Sequence, residues 1–255
     1  MRVRILGCSG GIGGGQMRTT SMLVDADILI DAGTGVGDLT IAELALIDHV
    51  FITHSHLDHI AYLPFILDTV GDMRNKPLTM YATQATQEII RAHIFNWTIW
   101  PDFSEIPNAD SPYLRFRTIG LTENVQLNGR RITALPARHT VPAVGYHLDS
   151  GTASLVFTGD TTSNDDLWKE VNKIGNLRYL IIETAFSNSQ RQLAVVSKHL
   201  CPSLLGEELQ KLQGNPEIFI THLKPGQIEL TMLEIEENIG THKPRMLQNN
   251  QIFEF

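Results

Sequence analysis

The stretch Val50-Phe51-Ile52-Thr53-His54-Ser55-His56-Leu57-Asp58-His59 decides the fold class of this chain. Its first four residues are an apolar, β-branched run of strand type, and three imidazoles and a carboxylate follow within six residues. Alternation along an extended or turning loop sends His54 and His56 to one side and lets Asp58 and His59 reach another. Imidazole and carboxylate donors together suit zinc, and also manganese or iron. A polar helix start, with Asp58 as its cap and the histidines in solvent, would use the same residues.

Working outward, similar runs recur: MRVRIL (1–6), ADILID (26–31), SLVFTGD (154–160), RYLIIE (178–183) and EIFITH (217–222). Each is of strand length and rich in β-branched residues. Helical patterns are expected between them over 83–100, 167–174 and 203–212, the last with Ser203 as cap and Glu207 nearby. Strands interleaved with helices predict an α/β layered domain. Four of the runs end in a metal-binding or proton-transferring residue: His54, Asp160, Glu183 and His222. Sites gather where strands end and loops begin, so the chemistry is expected along one sheet edge.

With 255 residues, 42% of them hydrophobic, the chain can bury a substantial core without disulfides. Its two cysteines, Cys8 and Cys201, lie far apart and outside any metal-type spacing, which predicts reduced thiols. No signal-peptide pattern opens the sequence and no apolar run is long enough for a membrane span, so a cytoplasmic location is expected. The net charge of −8 argues against broad capture of nucleic acid. It leaves a small anionic substrate open, because bound cations can dominate the local field.

His139, in ARHTVPAVGYHL, is a further candidate ligand. Taken with the HSHLDH motif, Asp160 in FTGDTT and His222 in ITHLKPG, it makes the chain resemble the metallo-β-lactamase superfamily. That resemblance runs from LGCSGG at residue 6 to ITHLKPG at residue 226. It implies a four-layer αββα sandwich, a single domain over 1–255 with a helical aromatic insertion at about 83–117. It also implies two divalent metal ions, zinc by first expectation. One would take His54, His56 and His139; the other would take Asp58, His59 and His222, with Asp160 bridging. Redox members of the superfamily carry Glu where this chain has His56, so hydrolysis is expected.

Beyond the ligands, the segments HSHLDHIAYLP, HIFNWTIWPDF, HTVPAVGY, GDTT, IIETAF and SKHLCPSLLGEEL resemble class II 3′,5′-cyclic-nucleotide phosphodiesterases. A small phosphodiester substrate, and a homodimer, are what that resemblance implies. Tyr62 departs from the pattern, which has a small residue there. By the same analogy His199 is the general acid and Glu183 the carboxylate that orients and charges it, while Asp58 counts among the catalytic groups as well as the ligands. The rival reading is a tRNase Z-like endonuclease. Residues 147–158, HLDSGTASLVFT, read instead as a plain hairpin around Asp149-Ser150-Gly151, with no tRNA-gripping insertion. A sulfate-ester or thioester hydrolase, and a metal-bearing binding domain without turnover, are the remaining alternatives.

Three features leave two readings each. The aromatic cluster Phe95-Asn96-Trp97 to Trp100-Pro101-Asp102-Phe103 is either core or a wall for a flat leaving group. Gly7–Gly15 reads as a tight connection near the metal site or as a loop whose backbone N–H groups contact phosphate, though neither a Walker motif nor a dinucleotide fingerprint fits it. Arg138, Lys198 and Lys224 adjoin site residues and are either phosphate holders or solvated side chains.

Overall fold

The computed structural model describes residues 1–240 and 242–255. The N-terminal half supplies β1 (Arg2–Gly7), β2 (Ser21–Val24), β3 (Ile28–Ile30), α1 (Ile41–Leu46) and β4 (His49–Phe51). After these come α2 (Leu57–Ile60), α3 (Leu63–Val70), β5 (Leu78–Ala82), α4 (Gln84–His93) and β6 (Leu114–Thr118). The second half begins with β7 (Asn124–Leu127), β8 (Arg130–Pro136), β9 (Val144–Asp149), β10 (Ser154–Phe157) and α5 (Asp165–Val171). It continues through β11 (Leu177–Glu183), α6 (Arg191–Ser197), α7 (Pro202–Leu209) and β12 (Glu217–Thr221). The chain closes with α8 (Ile228–Asn238), β13 (Arg245–Met246) and β14 (Ile252–Glu254).

These strands form two sheets of seven, in the orders β14-β1-β2-β3-β4-β5-β6 and β13-β12-β11-β10-β9-β8-β7. Each half of the chain builds one sheet, and β14 crosses back to pair antiparallel with β1. Side-chain alternation explains why the strands read as unbroken apolar runs. Met22, Ile28, Ile30 and Phe51 point into the layer between the sheets, whereas Leu23, Leu29 and Val50 face the helices α3 and α4. In the second sheet Ile181 and Phe219 face inward, and Leu180, Ile182, Ile218 and Ile220 pack under α5, α7 and α8. The central strands of both sheets are therefore dry on both faces while the edge strands β6, β7 and β13 are partly exposed, and the architecture is the expected αββα sandwich. No helix among the described residues is long and apolar enough to cross a membrane.

Helix boundaries differ from the sequence reading in three places. The pattern over 83–100 is helical only to His93. There Asn96 turns its side chain back, donating to Ala92 O at 2.9 Å and accepting from Thr98 N and Ile99 N, and Trp97 takes a φ of 62°. The expected helical aromatic insertion at 83–117 is thus one short helix, an irregular loop and strand β6. In α7 the cap is Cys201 rather than Ser203, because Pro202, with its φ already helical and no N–H to lose, takes the first helical position. In α5 the cap is Asn164, which accepts from Leu167 N, so the helix starts two residues before the expected Leu167.

The two sheets are joined near the ends of β4 and β9. Val144 N donates to Thr53 O at 3.0 Å, and the buried Tyr146 hydroxyl donates to Ile52 O at 2.8 Å. This seam sets the loop after β4 against the loops after β8, β10, β11 and β12.

Candidate metal centre

His54, His56 and His139 bring one nitrogen each within 4.8 Å of one another, and Asp58, His59 and His222 form a second such group. Asp160 stands between them. Its Oδ2 lies 3.8 Å from His54 Nε2 and 4.0 Å from His139 Nε2, but also 3.4 Å from His59 Nε2 and 3.1 Å from His222 Nε2. One oxygen therefore reaches both groups. The tertiary structure gathers all seven sequence-predicted ligands into this cluster.

The polar atoms of the cluster fit cations. His54 Nε2 and His59 Nε2 are buried without a hydrogen-bond partner. Leaving a buried polar atom unpaired costs about 1–3 kcal/mol. His139 Nε2 and His56 Nδ1 face each other at 3.1 Å, while His139 Nδ1 is already engaged by Lys198 O at 3.1 Å. A cation between them would take both nitrogens as donors; without one, a proton on His56 Nδ1 makes the contact a hydrogen bond. Burial pulls His139 down to about 4 and holds His54 well below the ordinary histidine value, so both are neutral donors at pH 7. Burial also lowers His59, but the charges of Asp160 and Asp31 outweigh it and hold that imidazole well above the ordinary value.

Sequence reasoning missed the residues that aim these ligands. Asp31, fully buried after β3, accepts Thr53 N and Thr53 Oγ1 at 2.8 Å each and His59 Nδ1 at 2.7 Å. Thr53 Oγ1 also lies 3.0 Å from His54 Nδ1. Each bond fixes a ring through the nitrogen that does not face the cluster, as carboxylate–histidine–metal arrangements require. The signal was visible, since Asp31 ends the run ADILID as an acid at a strand end, but nothing local pairs it with His59.

His199 and Glu183 meet as expected. His199 Nδ1 donates to Glu183 Oε1 at 2.7 Å, and that oxygen also accepts Thr161 N, the residue after Asp160, at 3.1 Å. The second oxygen accepts Leu200 N at 3.3 Å. Burial lowers the His199 imidazole, but the charge of Glu183 and its hydrogen bond outweigh burial and leave it above the ordinary value. The ring stacks on His222 at 5.0 Å and meets His139 edge-on at 4.8 Å, so its free nitrogen is beside the cluster.

The ambiguous features divide. Phe95 and Phe103 are buried core, whereas Trp97 is 62% exposed. The glycine loop is a close connection: a Cβ on Gly10 would lie 2.4 Å from His222 O. The three candidate phosphate holders are tied to backbone carbonyls, Arg138 to Ser163 O, Lys198 to His139 O and Lys224 to Gly10 O. Tyr62 lies so close to Gly37 that a Cβ there would come within 2.7 Å of its Cε1. With Thr34, Arg18 and Asp38 it lines a cavity of about 430 Å³ closed on one side by the glycine loop at Gly13 and Gly14.

An αββα sandwich with a paired histidine–aspartate cluster on its edge defines a metallo-β-lactamase-type protein. Residues 26–231 match the model of the beta-lactamase superfamily domain, and the chain belongs to that superfamily. Over 203 residues it is 27% identical to a probable 3′,5′-cyclic-nucleotide phosphodiesterase of Yersinia pestis, which covers 70% of this chain and 57% of that relative. The chain thus spans little more than half of that relative's length. A ribonuclease Z of Clostridium beijerinckii is 29% identical over 153 residues, 56% of this chain and 47% of the relative. Among solved structures, unliganded yeast PDE1 superposes with a TM-score of 0.82 over 100% of this chain and 99% of its own, at 18% identity.

Proposed function

We propose that this chain is a dinuclear metal-dependent phosphodiesterase acting on 3′,5′-cyclic nucleotides or similarly small phosphodiesters. The observation that carries this reading is the sharing of Asp160 Oδ2 between two ligand triads, with the His199–Glu183 pair alongside. His54, His56 and His139 would hold one ion, and Asp58, His59 and His222 the other. Zinc is the ion this donor set favours. When bound, such a pair supplies Lewis acidity and a nucleophilic water at neutral pH.

The chain's own groups do the rest. Water, giving up one proton to solvent, forms the new P–O bond opposite the 3′ oxygen as the P–O3′ bond breaks, and the departing oxygen takes the Nε2 proton of His199. Glu183 favours the charged form of that imidazole and holds its Nδ1–H, so the ring presents the correct nitrogen. Asp31 and Thr53 hold His59 and His54 in the orientation that leaves Nε2 free. The homology to cyclic-nucleotide phosphodiesterases supports the substrate class.

A ribonuclease Z-type activity is the second reading, favoured by the relative of that name. Against it stand the net charge of −8 and the connection of β9 to β10 by only residues 150–153. The test is the zinc-loaded protein assayed on bis(p-nitrophenyl) phosphate, 3′,5′-cyclic AMP and a 3′-extended tRNA. Turnover of the first two with the tRNA uncut supports the proposal, and tRNA cleavage alone replaces it. His199→Ala should lower kcat roughly 10²–10⁴-fold at unchanged metal content; an unaltered rate removes His199 from the reaction.

A further inference from the structure

We infer that Lys198 is a positioning residue that grips the ligand His139 from both ends and registers it against the general acid. Helix α6 ends on Lys198 in the left-handed conformation, φ 54° and ψ 49°, which favours glycine and costs a residue bearing a Cβ. The turn closes with His199 N donating to Ala194 O at 2.8 Å. Glycine would close the same turn without strain, so a lysine there points to work for its side chain.

That work is visible. Lys198 Nζ donates to His139 O at 2.8 Å, while His139 Nδ1 donates to Lys198 O at 3.1 Å. The backbone half of this clamp fixes the tautomer, putting the proton on Nδ1 and leaving Nε2 as the donor lone pair 3.1 Å from His56 Nδ1. The ammonium half pins the main chain from which His139 projects. His139 stands in a loop, three residues beyond the end of β8, so its carbonyl has no sheet partner to hold it. Lys198 is also the residue before His199, and the clamp therefore sets the 4.8 Å spacing of the two rings. Arg138 does not share the task, since its guanidinium goes to Ser163 O.

This inference rests on the reading of His139 as a metal ligand. The test uses the full chain with zinc, titrated against a chromophoric chelator, and Lys198→Gly, Lys198→Met and Lys198→Arg variants. Lys198→Gly removes the ammonium, keeps the carbonyl acceptor and relieves the left-handed strain. It should fold with an apo Tm no lower than the parent, yet bind zinc at one of its two sites about 10- to 100-fold more weakly. Lys198→Arg should retain affinity within a few-fold. A Lys198→Gly protein that keeps both parental affinities overturns the clamp while leaving the metal centre standing. A parent protein that binds no zinc overturns the clamp together with the metal reading.

Discussion

Replacing Asp31 by asparagine tests the metal centre through a residue that touches no metal. Asp31 has a φ of 57°, a conformation asparagine adopts as readily, so the backbone is left undisturbed. The carboxylate accepts three hydrogen bonds, from Thr53 N on one oxygen and from Thr53 Oγ1 and His59 Nδ1 on the other. An amide cannot satisfy both sides. With its oxygen toward Thr53 N, the NH2 faces His59 Nδ1 and forces the proton onto Nε2, the nitrogen that must face the ion. With its oxygen toward His59, the NH2 opposes the buried Thr53 N–H, and two unpaired donors cost about 1–3 kcal/mol. Loss of such a supporting partner weakens metal affinity about 10- to 100-fold, roughly 1.4–2.8 kcal/mol. Zinc titration of Asp31→Asn with a competing chelator should show one site weakened by that factor, and activity at limiting zinc should fall with it. Two sites of parental affinity would refute the assignment of His59 as a ligand held by Asp31.

Tyr62→Ala opens the wall of the cavity it shares with Arg18, Thr34 and Asp38; if the substrate's base stacks there, an aromatic contact of about 0.5–1.5 kcal/mol predicts a KM for 3′,5′-cyclic AMP raised roughly 2- to 12-fold with a smaller change in kcat. An unmoved KM would mean that Tyr62 only seals against Gly37. Acid stability should respond at Asp149, which burial pushes up but which Arg131, Gly151 N and Asn176 together hold down at about 2. A depressed carboxylate stabilises above its ordinary value of 3.8 and loses that contribution as pH falls to about 2, here about 2 kcal/mol. Urea unfolding across pH 2–5 should show that loss in the parent and not in Asp149→Asn; equal pH slopes would contradict it.

Much of the site was legible because metal ligands are chemically distinctive and strand ends are easy to find. The HSHLDH run and the ends of the later runs, with the family resemblance adding His139 and His199, gave seven candidate ligands and the His199–Glu183 pairing before any geometry was known. The supporting groups were not legible for the same reason in reverse. Asp31 and Thr53 are ordinary residues 22 positions apart, and only the parallel pairing of β3 with β4 sets one against the other. Lys198 was readable as a surface charge; its carbonyl contact with His139, 59 residues away, exists only after the two sheets have packed.

The sequence by itself determined the α/β class, because burial on both sheet faces writes itself as apolar strand-length runs, and it supplied the candidate residues that the fold brings together. Helix ends were read less well, since Pro202 and Asn96 override periodicity through local backbone constraints. Only the tertiary structure decided that Asp160 Oδ2 serves both ligand groups, and which nitrogen each imidazole presents. Those are matters of distances near 3 Å between segments remote in the chain, and no local pattern encodes them. They are set where the loops after β4, β8, β10 and β12 converge on one edge of the two sheets.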